Sequence, residues 1–241
     1  MGVLDDVDIA RGLTRDHAGR ADTARGRDAV RLNRLGRLTM NNPAREQLLL
    51  RYVAAKLERI DATPAGRTLV IGCGQGVDID IALDRFDASA VVAIDIDPVQ
   101  VERARRRLAA RLPAGAAVVV DQGDVIALDA GDESFDTVFD LGAVHLVPDW
   151  QRAYGEIGRV LRPGGKLRFE TIVGRTFRAA LRVSTGGFRA PAAGYTAASV
   201  IATLAAAGLD CGPAAIARPR AAVLTGLVGD MIGVATKTEV A

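Results

Sequence analysis

The chain has 241 residues, 49% of them hydrophobic and only 4% aromatic, with a formal net charge of +2. That is enough apolar material for one substantial core built of Val, Leu, Ile and Ala, and too little net positive charge for a general nucleic-acid binder. The two cysteines, Cys73 and Cys211, lack metal-ligand spacing and make no disulfide framework, so neither a metal site nor an oxidising compartment is implied. The opening MGVLDDVDIARG is acidic and lacks the apolar run of a signal peptide. The late apolar run VLTGLVGDMIGVA is interrupted by Asp230 and glycines. No transmembrane segment and a cytoplasmic location are therefore expected.

Residues 1–41 are rich in Arg, Asp and Gly, with seven arginines from Arg15 to Arg37 and little periodicity. They read as an N-terminal flap, followed by a single domain over 42–241. A helix opens at NNPAREQLLLRYVAAKLERI, capped by Asn42, with Pro43 at the first helical position, where its missing N–H costs nothing. Leu49, Val53, Leu57 and Ile60 share one face. RTLVI (67–71) is a buried strand, 76–85 a helix and AVVAI (90–94) a strand. Asp97 and Pro98 start a helix with the stripe Val101, Ala104, Leu108 and Leu112. AAVVV (116–120) and FDTVF (135–139) are strands. A helix from Asp149, as its cap, to Leu161 is ended by RPGG, and KLRFETIV (166–173) is the fifth strand. Thr196 starts an Ala-rich helix that stops at Gly208, and two weaker strands lie near 214–218 and 231–237. The stretch 174–195 is too long for an ordinary connection and reads as a lid-like insertion. Strands alternating with helices across short connections predict an α/β fold, a parallel sheet covered on both faces.

In such a sheet, ligands bind beyond the carboxyl ends of the strands. The stretch TLVIGCGQGVD (68–78) places Gly72, Gly74 and Gly76 just past the first strand, so a ligand can approach the main chain more closely than any Cβ would permit. Asp95 ends the second strand, where a carboxylate can accept both hydrogen bonds of a ribose diol. Dinucleotide and adenosyl sites share that arrangement, and Asp95 alone does not choose between them.

Five ordered segments carry a resemblance: VIGCGQG (70–76), AIDID (93–97), QGDVIAL (122–128), FDTVFDLGAVHLVPDW (135–150) and LRPGGKL (161–167). Together they resemble the class I S-adenosylmethionine-dependent methyltransferases over roughly residues 43–238. The resemblance implies a Rossmann-like three-layer sandwich with a mostly parallel seven-stranded sheet and an antiparallel last strand. It implies S-adenosyl-L-methionine as cofactor. Gly72, Cys73, Gly74 and Gly76 would line its amino-acid part and ribose, Asp95 would bind the ribose hydroxyls, and Ile96 would pack on the adenine. Gly123, Asp124 and Val125 would surround the adenine edge, and Asp140 and Leu141 would meet the methionyl end. One departure stands out: many members carry an acid two residues before the first glycine, where this chain has Val70. An NAD-dependent dehydrogenase fits less well, because the spacing is G-x-G-x-G rather than G-x-G-x-x-G and no second domain remains.

Methyl transfer is chiefly a problem of alignment, with a base needed only for some acceptors. His145, after the fourth strand, is the candidate catalytic base, with an ordinary histidine pKa suited to neutral pH. The flap and residues 174–195 would roof the acceptor, and Arg175, Arg178, Arg182 and Arg189 are candidates to receive an anionic group. The expected partner is a small-molecule methyl acceptor. Nucleic acid is not expected, since DLGAVH stands where an Asn-Pro-Pro-aromatic or Asp-Pro-Pro-aromatic signature would follow strand four. The alternatives are an RNA or protein methyltransferase and a non-catalytic cofactor-binding protein.

Overall fold

The computed structural model describes residues 34–113, 116–173, 194–217 and 231–239. The flap before residue 34 and the insertion up to residue 193, with its four arginines, lie outside the described residues. The first described helix, α1 (Arg34–Met40), precedes the capped helix predicted from Asn42. That helix starts as α2 (Pro43–Leu48), continues through a π-helical turn (Leu49–Val53) and ends as α3 (Ala54–Ile60). The Asn42 side chain accepts the Ala44 amide at 2.8 Å, as the sequence leads one to expect.

Five strands follow in alternation with helices: β1 (Gly66–Ile71), α4 (Val77–Phe86), β2 (Ala88–Asp95), α5 (Pro98–Ala109), β3 (Val118–Gln122), β4 (Phe135–Leu141), α6 (Trp150–Val160) and β5 (Leu161–Thr171). After them come α7 (Ala197–Ala206), the short strands β6 (Leu209–Asp210) and β7 (Ile216–Ala217), and β8 (Met231–Lys237). The strands lie in the order β3-β2-β1-β4-β5-β8-β6, with β7 also paired to β8. β1 to β5 run parallel, whereas β8 runs antiparallel to β5. β6 and β7 pair with successive stretches of β8. They are one edge rank broken by the 3-10 turn Pro213–Ala215, so eight short strands make the seven ranks expected.

Side chains of a strand alternate between faces, and the core divides accordingly. Leu69, Ile71, Val92, Val138, Leu167 and Phe169 join the cluster that holds α6 and α7 residues such as Tyr154, Ile157, Val200 and Leu204. Val70, Val91, Ala93 and Phe139 join the cluster beneath α3, α4 and α5, with Leu57, Ile79 and Val101.

Two boundaries differ from the sequence reading. Asp149 stands before α6 but makes no side-chain cap; the turn Val144–Leu146 already brings the chain to that helix. The predicted stop RPGG lies inside a strand, because β5 begins at Leu161. Leu161 pairs with Phe135, and pairing resumes at Lys166 with Thr137 after a bulge. At Gly165 a Cβ would stand 2.8 Å from the Arg162 carbonyl oxygen, so only glycine lets the bulge close.

Arg168 is buried under the α3–α4 layer. Its Nη2 donates to the Thr63 carbonyl at 2.7 Å and to Asp61 Oδ1 at 3.3 Å, and Nη1 donates to Thr137 Oγ1 at 3.1 Å. The guanidinium lies 4.5 Å from the Phe86 ring centroid. Asp61 also pairs with Lys166. Removing one partner of such a buried pair strands the other charge, at a cost of ~3 kcal/mol. Asp61→Ala is therefore expected to lower the unfolding free energy from urea titration by an amount of that size, whereas Arg168→Met should cost less. Equal costs would contradict the stranded-charge account.

Candidate functional site at the strand-order reversal

The chain leaves β1 outward to β2 and β3, then returns to the other side of β1 to form β4. Ligands bind at such reversals. Here Ile71 is flanked by Ile94 of β2 and Asp140 of β4. The three glycines beyond it are all left-handed, with φ of +62° at Gly72, +53° at Gly74 and +95° at Gly76. They differ in purpose. At Gly72 a Cβ would stand 2.3 Å from the Ala143 Cβ, so this glycine lets β1 and the loop after β4 meet. At Gly74 the nearest atom to a Cβ would be 3.8 Å away, leaving open space above bare main chain. Gly76 abuts Ala104 of α5.

Asp95 ties this loop to its neighbours. One carboxylate oxygen accepts the Gly74 amide at 2.9 Å and the other accepts the Asp97 amide at 2.8 Å. The Asp95 carbonyl accepts the Gly123 amide at 3.1 Å, and Ile94 accepts the Cys73 amide at 3.0 Å. A carboxylate offers about four acceptor directions, so two remain for a ribose diol. Burial raises the Asp95 pKa, its two backbone donors acting in opposition. Ile96 is half-buried, with its carbonyl accepting from Gln122. Asp124 is half-buried and receives its own Ile126 amide at 3.2 Å, whereas Val125 turns into the core. Beside the loop, α1 docks on α5 through Arg37–Asp97 at 2.7 Å and an Asn41–Gln100 amide pair at 3.2 Å. A cleft of ≈ 670 Å³ opens there, lined in part by Arg34, Asn41, Gln75 and Arg103.

The β4 side is drier and more charged. Asp140 is fully buried; its Oδ1 accepts the Ala143 and Val144 amides at 2.8 and 3.1 Å, and its Oδ2 has no partner. Burial pushes its pKa up to about 6. His145 is buried, and neither ring nitrogen has a hydrogen-bond partner. Burial, with help from Arg45, drives its pKa down to about 3. The expectation of an ordinary histidine pKa is thereby corrected: the imidazole is neutral throughout the physiological range, because the desolvated cation has no carboxylate contact to hold it. Around Gly142, where φ is +100°, a Cβ would stand 2.9 Å from Glu170 Oε2, 3.0 Å from Arg45 Nη2 and 3.6 Å from His145 Cε1. Arg45 Nη2 also donates to the Leu141 carbonyl at 3.1 Å. Thr171, Tyr195 and Tyr154 form a buried hydroxyl chain with O···O distances of 2.7 and 3.2 Å. Trp150 stacks edge-on against Tyr195 and belongs to the core.

The glycines, Asp95, Gly123, Asp124, Asp140, Leu141 and His145 are thus gathered along one edge of the sheet. Sequence reasoning missed Arg45, Asp78 and Glu170. The signal for Glu170 was a lone acid between Phe169 and Thr171 in a strand that reads as buried, where an acid must be paired or functional. For Asp78 it was the alternation VDIDIAL in a helix, which cannot expose both acids. Asp80 is satisfied by Arg107 and Arg111 at 2.7 and 2.9 Å.

A family model described as a methyltransferase domain matches residues 69–169, the span from β1 to β5. Over 122 residues the chain is 35% identical to 24-methylenesterol C-methyltransferase 2 of Oryza sativa subsp. japonica, covering 50% of this chain and 33% of that protein. Over 101 residues it is 39% identical to 27-O-demethylrifamycin SV methyltransferase of Amycolatopsis mediterranei, covering 42% and 36%. From β1 to β5 the chain is thus similar to methyltransferase domains. The matched stretch spans about a third of those curated relatives. In shape, the chain is similar to a Burkholderia thailandensis 1,6-didemethyltoxoflavin-N1-methyltransferase solved with 1,6-didemethyltoxoflavin and S-adenosylhomocysteine. The TM-score is 0.57 at 22% identity, with 80% of each chain covered. The residues present fit S-adenosylmethionine: open main chain at Gly74, two free acceptor directions on Asp95, and a buried Asp140 oxygen without a partner among the described residues.

Asp140 makes the domain's stability depend on pH. A carboxyl that titrates at about 6 in the fold and at ~4 when unfolded favours folding while it is protonated. Its stabilising contribution is present below the unfolded value and lost as pH rises toward 6, by ~3 kcal/mol. Asp140→Asn is expected to melt well above the parent at about pH 8 and level with it at about pH 4. Coincident melts by circular dichroism at both pH values would refute this.

Proposed function

We propose that this chain transfers a methyl group from S-adenosylmethionine to an oxygen, nitrogen or carbon atom of a small-molecule acceptor. The observation that carries the reading is the placement of bare Gly74 main chain and Asp95, beyond β1 and at the end of β2, beside Asp140 and His145 at the end of β4, where the strand order reverses. The two curated relatives bear the names of a sterol and a rifamycin methyltransferase, which supports a small-molecule acceptor over nucleic acid. Among the described residues no helix is long and apolar enough to cross a membrane, and no group of acids, histidines and cysteines is placed to hold a metal ion.

The cofactor, when bound, supplies a sulfonium-activated methyl group for in-line displacement. The protein's part is then to align and to exclude water. Asp95 holds the ribose with its two free acceptor directions, and Ile96 with the Gly123–Val125 turn flanks the adenine, Asp124 accepting from its amino group. Gly72, Cys73, Gly74 and Gly76 expose the main chain beneath the ribose and amino-acid end, with Asp140 and Leu141 beyond. His145 is the candidate catalytic group, touching the acceptor. As a neutral imidazole it accepts a hydrogen bond from an acceptor hydroxyl or amine and fixes its direction; a group with a pKa of about 3 is a weak base at neutral pH. Residues 1–41 and 174–195 are proposed to roof the acceptor, α1 marking where the first approaches the glycine loop through the Arg37–Asp97 pair.

A screen with methyl-labelled donor against a small-molecule library and bulk RNA tests the reading, with Asp95→Ala as control. Label in a small molecule, lost in the variant, is the expected result. Label confined to RNA would reverse the substrate assignment. On the acceptor so found, His145→Ala is expected to lower kcat by ~10-fold or more, with Gln restoring part of it. Parent turnover should lack an inflection between about pH 6 and 7, where an ordinary histidine titrates. An inflection there, abolished in the variant, would make His145 a true base and refute the orienting role.

A further inference from the structure

We infer that the cleft between α1 and α5 holds a phosphate or carboxylate group of the methyl acceptor. The acceptor's part in this rests on the methyltransferase reading above; the anion site rests on the cleft alone. That cleft, ≈ 670 Å³ in volume, is lined by Arg34 and Arg37 of α1, by Arg103 of α5, and by Asn41, Asn42 and Gln75 among others. No carboxylate belongs to its described lining. Arg37 is engaged by Asp97 at 2.7 Å, and Gln75 donates to Glu46 at 3.2 Å. Arg34 and Arg103 are not engaged: among the described residues neither side chain makes a hydrogen bond or an ion pair.

Arg103 departs from a rule that the rest of the molecule keeps. Every other buried or half-buried arginine among the described residues has a carboxylate partner. Arg37 has Asp97, Arg45 has Glu170, Arg67 has Asp136, Arg107 has Asp80 and Glu46, Arg159 has Glu156, and Arg168 has Asp61. Arg103 is half-buried and has none. A guanidinium drawn part-way out of water gives up hydration, and an anion is the group that best replaces it. Its planar fork of N–H groups matches the paired oxygens of a carboxylate or phosphate. Arg34 brings a second fork from the other helix, so a cationic ligand would meet two unneutralised charges.

The cofactor's own carboxylate does not suit this place. Its amino-acid end is assigned above to the end of β4, which lies on the opposite side of β1 from β2. The helix that carries Arg103 follows β2 and packs on β2 and β3. The cleft nevertheless borders the glycine loop. Gln75 stands between Gly74 and Gly76, and Asn41 pairs at 3.2 Å with Gln100, whose Nε2 would lie 3.8 Å from a Cβ at Gly74. Leu38, also in the lining and 72% exposed, offers the same ligand an apolar contact.

The test is calorimetric titration, at neutral pH and low ionic strength, of inorganic pyrophosphate and of succinate into the parent and three variants. Arg103→Gln and Arg34→Gln remove one fork each. Arg152→Gln, at an exposed position of α6 on the other face of the sheet, is the control. The parent is expected to bind at least one anion, the tighter of the two telling phosphate from carboxylate. Arg103→Gln and Arg34→Gln should each weaken that binding by about 10-fold, while Arg152→Gln leaves it unchanged. S-adenosylhomocysteine, titrated in parallel, should bind all four proteins alike. A parent that binds neither anion would overturn the site, as would parent-like anion binding in both Arg103→Gln and Arg34→Gln. Weakened S-adenosylhomocysteine in Arg103→Gln would also overturn it, making Arg103 part of the cofactor crevice. Anion binding without any S-adenosylhomocysteine binding would reject the methyltransferase reading and leave the anion site standing. On the acceptor found by the screen, Arg103→Gln should raise KM about 10-fold at unchanged kcat; an acceptor with no anionic group would overturn the acceptor's part.

Discussion

The constraint on which the rest of this molecule depends is the desolvation of acids at the carboxyl edge of its sheet. Asp78, Asp140 and Glu170 are each at most 5% exposed, and Asp95 is half-buried beside them. Carboxylates taken from water raise their pKa or find partners. Here backbone amides answer Asp95 and half of Asp140, and Arg45 answers part of the rest. The arrangement persists because two apolar layers, one under α6–α7 and one under α3–α5, hold the strand ends in register from both faces. A core of that kind tolerates a strained, charge-rich edge that would not survive alone.

The same constraint gives the site its chemistry. Left-handed glycines open the main chain over Gly74 and bring β1 against the loop after β4 at Gly72. Asp95 then spans the loop and the end of β2, so the geometry of the glycine loop is set by hydrogen bonds within the chain itself. His145 is neutral for the same reason that the acids are uneasy: the chamber is dry, and Arg45 is the cation already in place. A dry chamber strengthens every polar contact made inside it, which suits a reaction that needs alignment more than proton transfer.

Much of this was legible in the residue order. The alternation of apolar runs with helical stripes marked the five parallel strands, and β8 falls on its predicted span, Met231–Lys237. Asn42 and Thr196 cap the helices they were expected to cap. The glycine loop and Asp95 were legible because a sharp strand-to-helix turn and a strand-terminal acid are signals carried within a few residues. RPGG misled as a stop signal: its Pro and Gly residues build a bulge in β5, a choice settled by pairing with β4.

What the sequence by itself determined is the order of elements, their layering and the place of the glycine loop beyond β1, since periodicity and turn chemistry act over one or two turns of chain. What only the tertiary structure decided is the company each charge keeps. Arg45 comes from the first capped helix, Asp78 from the turn after β1 and Glu170 from β5, yet their charges act on one another in the fold. Burial and Coulomb interaction are properties of neighbours in space. The weak basicity of His145 and the burial of Asp78 therefore emerge only once the sheet has closed.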